Sequence, residues 1–172
     1  MYMNRRQYLG GIVSVGAVAV AGCSSGSGGD GGSDDSEGIE SYQRVDGYVL
    51  SKSFPMEVYD PQSGDRLAEV HWHEDWKHWH QSPLEVPLDE WSAYELRVNN
   101  PDLEAIPIGE DRSLQLDVNR TEETPETLVA VQPTGTFIEM NGQTEGTGEL
   151  VFRLVSDGEA VWTSPALPIE VS

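Results

Sequence analysis

The sequence predicts an all-β chain folded as an antiparallel β-sandwich, immunoglobulin-like, with a jelly roll as the competing arrangement. Three observations carry that expectation. Eight or nine short segments alternate apolar and polar residues with the period of two that a half-buried strand requires. Turn-forming residues separate these segments at short intervals. No segment shows a run of helical periodicity closed by a cap and a stop. Many short strands punctuated by turns fit two packed sheets better than any helical architecture.

Phe54 to Tyr59 opens the series, and Asp60-Pro61-Gln62-Ser63-Gly64-Asp65 turns it into Arg66 to His73, where Ala68, Val70 and Trp72 alternate with Leu67, Glu69 and His71. Pro83 and Pro87 restrict any strand between them to a short or edge position, because proline removes a ladder donor. Tyr94, Leu96 and Val98 alternate with Glu95 and Arg97 until Asn99-Asn100-Pro101 stops the run. Leu114, Leu116 and Val118 alternate with Gln115 and Asp117, and Leu128 to Gln132 forms a compact apolar stretch. Phe137 to Met140 meets Asn141-Gly142, read as the start of a long Gly-rich turn through Gly148. Leu150 to Val155, the turn Ser156-Asp157-Gly158-Glu159 and Ala160 to Thr163 form the strongest hairpin signal, and Ile169 to Val171 supplies a last strand. Trp91, Trp162, Met56 and Met140 lie in or beside these strands and read as core.

Residues 1–22 read as a twin-arginine lipoprotein signal peptide. Arg5-Arg6-Gln7-Tyr8-Leu9 matches the twin-arginine core, an apolar run follows, and Ala21-Gly22-Cys23 resembles a lipobox with Cys23 as the lipidated residue. Residues 23–41 then form the lipidated cysteine and a flexible Gly/Ser/Asp tether of about 20–25 Å reach, and residues 42–172 the sandwich domain. The expected location is the outer face of the cell membrane, with the lipid at Cys23 as the membrane contact. Without the leader and its two arginines, eight basic residues remain against 30 acidic ones, a formal charge of −22. That charge excludes nucleic acid and anionic membrane surfaces as partners. With only Lys52 and Lys77 as lysines and the acids dispersed along the chain, the composition is that of a protein adapted to high salt.

Every histidine falls in the near-palindrome His71-Trp72-His73-Glu74-Asp75-Trp76-Lys77-His78-Trp79-His80. Alternation along a strand puts His71 and His73 on one face and Trp72 on the other, and the second half repeats this with His78, His80 and Trp79. A hairpin with the four-residue loop Glu74 to Lys77 would set His73 opposite His78 and His71 opposite His80, with the two tryptophans paired behind. Four imidazoles so placed predict a divalent transition-metal site, zinc fitting best and copper or nickel comparably. Glu69, Glu74 and Asp75 are nearby candidates for additional ligands. A helix would also gather His71, Asp75 and His78 on one face, but the alternation begun at Leu67 and the stop at Ser82-Pro83 favour strand. The competing function is a protein- or glycan-interaction module in which Trp72, Trp76 and Trp79 form an exposed aromatic patch. No nucleophile elbow, phosphate loop or paired catalytic acids are present, so a catalytic role is not expected.

Gly64 to Val70 followed by His71, then His78, Trp79 and His80, then Pro83, Val86 and Pro87, resembles a group of exported, halophile-type prokaryotic lipoproteins. That group carries a His-Trp-His motif on an immunoglobulin-like domain and is associated with divalent metal handling, zinc above all. The stretch Gly146 to Val171, with Val151, Phe152, Gly158 and Trp162, is similar to the end of that domain. The resemblance implies delivery of the metal to a transport system, or sensing for one, and it implies further histidines near Thr136 to Met140 and near Asp157 to Glu159. This chain has none in either place, so either Glu139 and Glu159 replace the lost ligands, or the site has moved wholly into the doubled His-Trp-His segment, or metal binding is lost; Gln81 stands where the group has glycine.

Overall fold

The computed structural model describes residues 43–73 and 75–172. The signal, Cys23 and the tether lie outside the described residues, as does Glu74. A two-residue pair, β1 (Arg44–Val45) and β2 (Tyr48–Val49), precedes the main sheets. Then come β3 (Met56–Tyr59), β4 (Arg66–His73), β5 (Trp76–His80), β6 (Leu84–Val86) and β7 (Trp91–Val98). The rest are β8 (Leu114–Arg120), β9 (Val129–Thr134), β10 (Phe137–Gly142), β11 (Gly146–Ser156), β12 (Glu159–Thr163) and β13 (Leu167–Val171). No helix occurs among the described residues.

One sheet has the order β5-β4-β3-β7-β10-β9, all antiparallel. In the other, β11 is central. Leu154 pairs with Trp162 of β12 and Leu116 of β8, and Leu150 pairs with Leu167 of β13 and Arg120 of β8. Since a residue has only two edges, β12 and β13 run along one edge of β11 as a single strand broken at residues 164–166, and β8 takes the other. The short β6 adds to the outside of β13 in parallel. Strands β3-β7-β10-β9 thus take the A-B-E-D positions of an immunoglobulin-like sandwich, and β8-β11-β12/β13 the C-F-G positions. The expected class is what the chain forms, and the β4–β5 hairpin is an insertion that widens the first sheet beyond its A strand.

The core lies between the sheets and is built by alternation. Met56 and Val58, Ala68 and Val70, Leu96 and Val98, Ile138 and Met140 point inward from one sheet, meeting Leu150, Phe152, Leu154, Leu167 and Ile169 from the other. Asp157 and Gly158, both at positive φ (51° and 83°), make the two-residue turn between β11 and β12. Asn141-Gly142 is not a turn. Both residues lie in β10, opposite Ala130 and Val129, and the chain crosses to the other sheet only at residues 143–145. Gly142 is required by close approach: a Cβ there would stand 2.7 Å from the Pro87 carbonyl oxygen, to which its own N–H donates at 3.2 Å. Trp162 is buried as expected, but Trp91 is 54% exposed, because it starts β7 on the outward-facing phase of the strand.

Candidate metal centre

The β4–β5 hairpin folds with a tighter turn than its palindrome implies. His73 pairs with Trp76, so Glu74 and Asp75 alone connect the strands, and the ladder continues as Trp72 with Lys77, His71 with His78, Val70 with Trp79 and Glu69 with His80. The expected register, His73 with His78 and His71 with His80, is therefore displaced by two residues. A two-residue loop is the commonest hairpin connection, and it adds one more ladder pair at the tip than the four-residue loop does. It also opposes Trp79 to Val70 in the core instead of to Trp72.

Displacement by two preserves the face on which every side chain lies, whereas displacement by one would have reversed it. All four histidines consequently share the outer face with Glu69 and Trp76. The His71 and His80 rings stack at 3.9 Å between centroids, and His78 lies 4.5 Å from His80 with the two Nε2 atoms 2.6 Å apart. His73 lies parallel to His78 at 5.3 Å, with Trp76 stacked on both, at 4.9 Å from His73 and 4.2 Å from His78.

Glu69, His71 and His80 are the group best placed for an ion: one donor atom from each lies within 4.8 Å of the others. A tetrahedral site on bonds of about 2.0–2.1 Å separates its ligands by about 3.3 Å, a closure within reach of imidazole and carboxylate torsions. Glu69 is only 6% exposed, and its Oε1 lies 3.1 Å from His71 Nε2. Its Oε2 faces the Arg66 guanidinium as an ion pair but has no aligned hydrogen-bond donor. Arg66 Nη1 also donates to Glu57 Oε1 at 2.9 Å, and Asn99 Nδ2 donates to Glu57 Oε2 at 2.7 Å. Two nearly buried carboxylates thus share one guanidinium, which leaves negative charge beside the imidazoles and favours a cation there. Phe54 covers this corner, edge-on to His71 at 4.7 Å.

His78 completes the cluster. Its Nδ1 is buried without a partner, and burial first, then repulsion from His80, His73 and His71, holds its pKa below the ordinary histidine value. A depressed pKa keeps the imidazole neutral, the form that binds metal.

The remaining site expectations separate. Asp75 is exposed in the turn. Glu139 is on β10, three strands from β4 and so about 14 Å across the sheet, and Glu159 belongs to the opposite sheet. Neither replaces a histidine of the cluster. Trp72, Trp76 and Trp79 do not form one exposed patch, since alternation divides them. Trp79 is 7% exposed, edge-on to Phe152 at 5.6 Å, with its Nε1 donating to the Pro165 carbonyl at 2.8 Å. Trp72 is half-buried beside Lys77, whose ammonium lies 5.2 Å from the Trp72 ring and 4.9 Å from Trp162. Only Trp76 is largely exposed, at 57%, and it is occupied by its stack on the histidines. The supporting residues Glu57, Arg66 and Asn99 carry no sequence signal, because only the β3–β4 and β3–β7 pairings bring them together.

The fold and the site together define an immunoglobulin-like sandwich with a histidine–carboxylate group that can hold a metal ion on an inserted hairpin. No protein-family model matches the chain, and no curated protein matches it. Among solved structures it is similar to one titled "Crystal structure of the S-layer protein SbsC domains 4 and 5", at 11% identity and a TM-score of 0.37. That similarity covers 69% of this chain and 76% of the other. A likeness of that size transfers no site residue.

Proposed function

We propose that the protein binds a divalent transition metal outside the cell, zinc in first place, and delivers it to a transport system or reports its presence to one. The observation that supports this reading is the convergence of Glu69, His71 and His80, with His78 in contact with His80 beside them. Two imidazoles and a carboxylate are a donor set suited to zinc, and a three-ligand arrangement leaves a position for an exchangeable partner, as transfer requires. The chemistry is that of binding and release. The twin-arginine leader, the lipobox cysteine and the tether support a location on the outer membrane face, with the domain held off the surface.

Equilibrium dialysis of the untagged protein against Zn²⁺, Cu²⁺ and Ni²⁺ tests the site. The wild type takes up about one ion tightly, and His71→Ala and His80→Ala each weaken it by at least about a hundredfold, beyond the 10–100-fold expected of a merely supporting residue. Equal uptake by wild type and both variants refutes the proposal.

A further inference from the structure

The two exposed tryptophans of the domain have different surroundings. Trp76 is covered in part by imidazoles, whereas Trp91, at the start of β7, has no ring contact among the described residues and stands 54% exposed. Its indole presents a flat apolar face to water and contributes nothing to this core. Trp91 lines a cavity of about 420 Å³, within the range of small-ligand sites, whose other walls include Asp60, Gln62, Glu90, Ser92 and Tyr94. The cavity's Trp91 end lies away from the histidines, and Leu67 of β4 is the lining residue nearest to them. Trp91 is six residues along β7 from Arg97, which shares a row with Glu57 and Glu69, a distance of about 20 Å.

The geometry points to a second binding site here, for a neutral pyranoside of a cell-surface or environmental glycan, with Trp91 as the platform and Asp60, Gln62, Glu90 and Ser92 as its hydrogen-bonding rim. A pyranose presents an apolar C–H face and an equatorial rim of hydroxyls that both donate and accept. An exposed indole matches the face, and carboxylates, amide and hydroxyl match the rim. Part of the rim is fixed in advance. Asp60 Oδ1 accepts from the Gln62 N–H at 2.8 Å and Oδ2 from the Ser63 hydroxyl at 2.9 Å, within a turn closed by Gly64 N–H to Asp60 O at 2.8 Å. Those bonds hold the Asp60 carboxyl below the usual carboxylate range, so it stays an acceptor. No basic side chain lines the cavity and two carboxylates do, which excludes anionic sugars. A quaternary ammonium would meet a single exposed aromatic face instead of a cage, which favours the sugar.

The test is a glycan array of neutral oligosaccharides, covering glucosides, galactosides, mannosides and N-acetylhexosaminides, followed by titration of the best binder against tryptophan fluorescence. Wild type binds at least one class, Trp91→Ala weakens it by about tenfold or more, and Glu90→Gln, which preserves shape, weakens it measurably. Trp76→Ala and a chelator leave binding unchanged, so this outcome is independent of the metal reading. Thermal melts confirm that the variants fold. The inference is overturned if no neutral class binds, if Trp91→Ala binds as wild type does, or if tetramethylammonium binds and no sugar does.

Discussion

The two faces of the β4–β5 hairpin are built from alternate residues of the same twelve-residue segment, Glu69 to His80, and they follow different rules. The inner face is closed: Val70 opposes Trp79, Trp72 opposes Lys77, and Trp79 and Lys77 bond across to the carbonyls of Pro165, in the break between β12 and β13, and of Thr163, at the end of β12. The outer face is a row of titratable rings with an unpartnered nitrogen on His78 and an unaligned carboxylate oxygen on Glu69. Shape fixes the inner face, and it sets the register that the outer face must accept. The chemistry of the site therefore depends on residues that cannot bind anything themselves.

Breaking the inner face gives the largest effect. Trp79→Ala removes a buried indole, its contact with Phe152 and its bond to Pro165, whose carbonyl keeps only the Ser164 hydroxyl as donor. We expect a loss of about 3–5 kcal/mol in denaturant unfolding. Because the register goes with the anchor, metal uptake falls too, although no ligand has changed. A Trp79→Ala protein with wild-type uptake would show that the turn, and not the core, sets the register.

That dependence also explains what the residues alone revealed. Alternation from Leu67 onward identified β4 over its full length and placed all four histidines on one face, and face is robust because a two-residue slip leaves it intact. Register was not legible. The palindrome is compatible with either loop, and the choice rests on how Trp79 meets Phe152 and Pro165, residues more than seventy positions away. Glu69 was legible as a nearby acid but not as a buried member of the group, since Glu57, which opposes it and shares the Arg66 guanidinium with it, becomes its neighbour only in the β3–β4 pair. Asn141-Gly142 misled for a related reason: the glycine answers to Pro87 in a neighbouring strand. Trp91 read as core because its strand alternates, yet it lies one step out of phase with Tyr94 and Leu96.

Protonation separates the faces without a mutation. Since His78 titrates below its unfolded value near 6.5, that imidazole stays neutral to lower pH in the folded protein than in the unfolded chain. Its contribution to stability is complete above that unfolded value and is lost as pH falls through it toward the folded pKa. Zinc uptake should hold down to about pH 6.5 and then drop by about tenfold per pH unit for each ligand imidazole that must lose a proton. Tryptophan fluorescence of the buried Trp79 should remain native over the same interval. Loss of both signals together would mean that the outer face supports the inner one, contrary to the order of dependence described above.

The smallest expected effect sharpens the comparison within the outer face. His73 is exposed at the hairpin tip, outside the Glu69, His71 and His80 group, and its ring is parallel to His78 without converging on it. His73→Ala should change the melting curve little, because an exposed ring stacked on Trp76 contributes well under about 1.5 kcal/mol. Its effect on zinc affinity should stay below about tenfold, against at least about a hundredfold for His80→Ala. Both substitutions remove an imidazole from the same face, His73 in the tip pair and His80 four ladder positions back from it, so a purely collective histidine-rich surface would make them equal. Equal losses would dissolve the distinction between ligand and neighbour. Unequal losses would place the ion at the buried carboxylate, where β3 and β4 hold Glu69 beside Arg66.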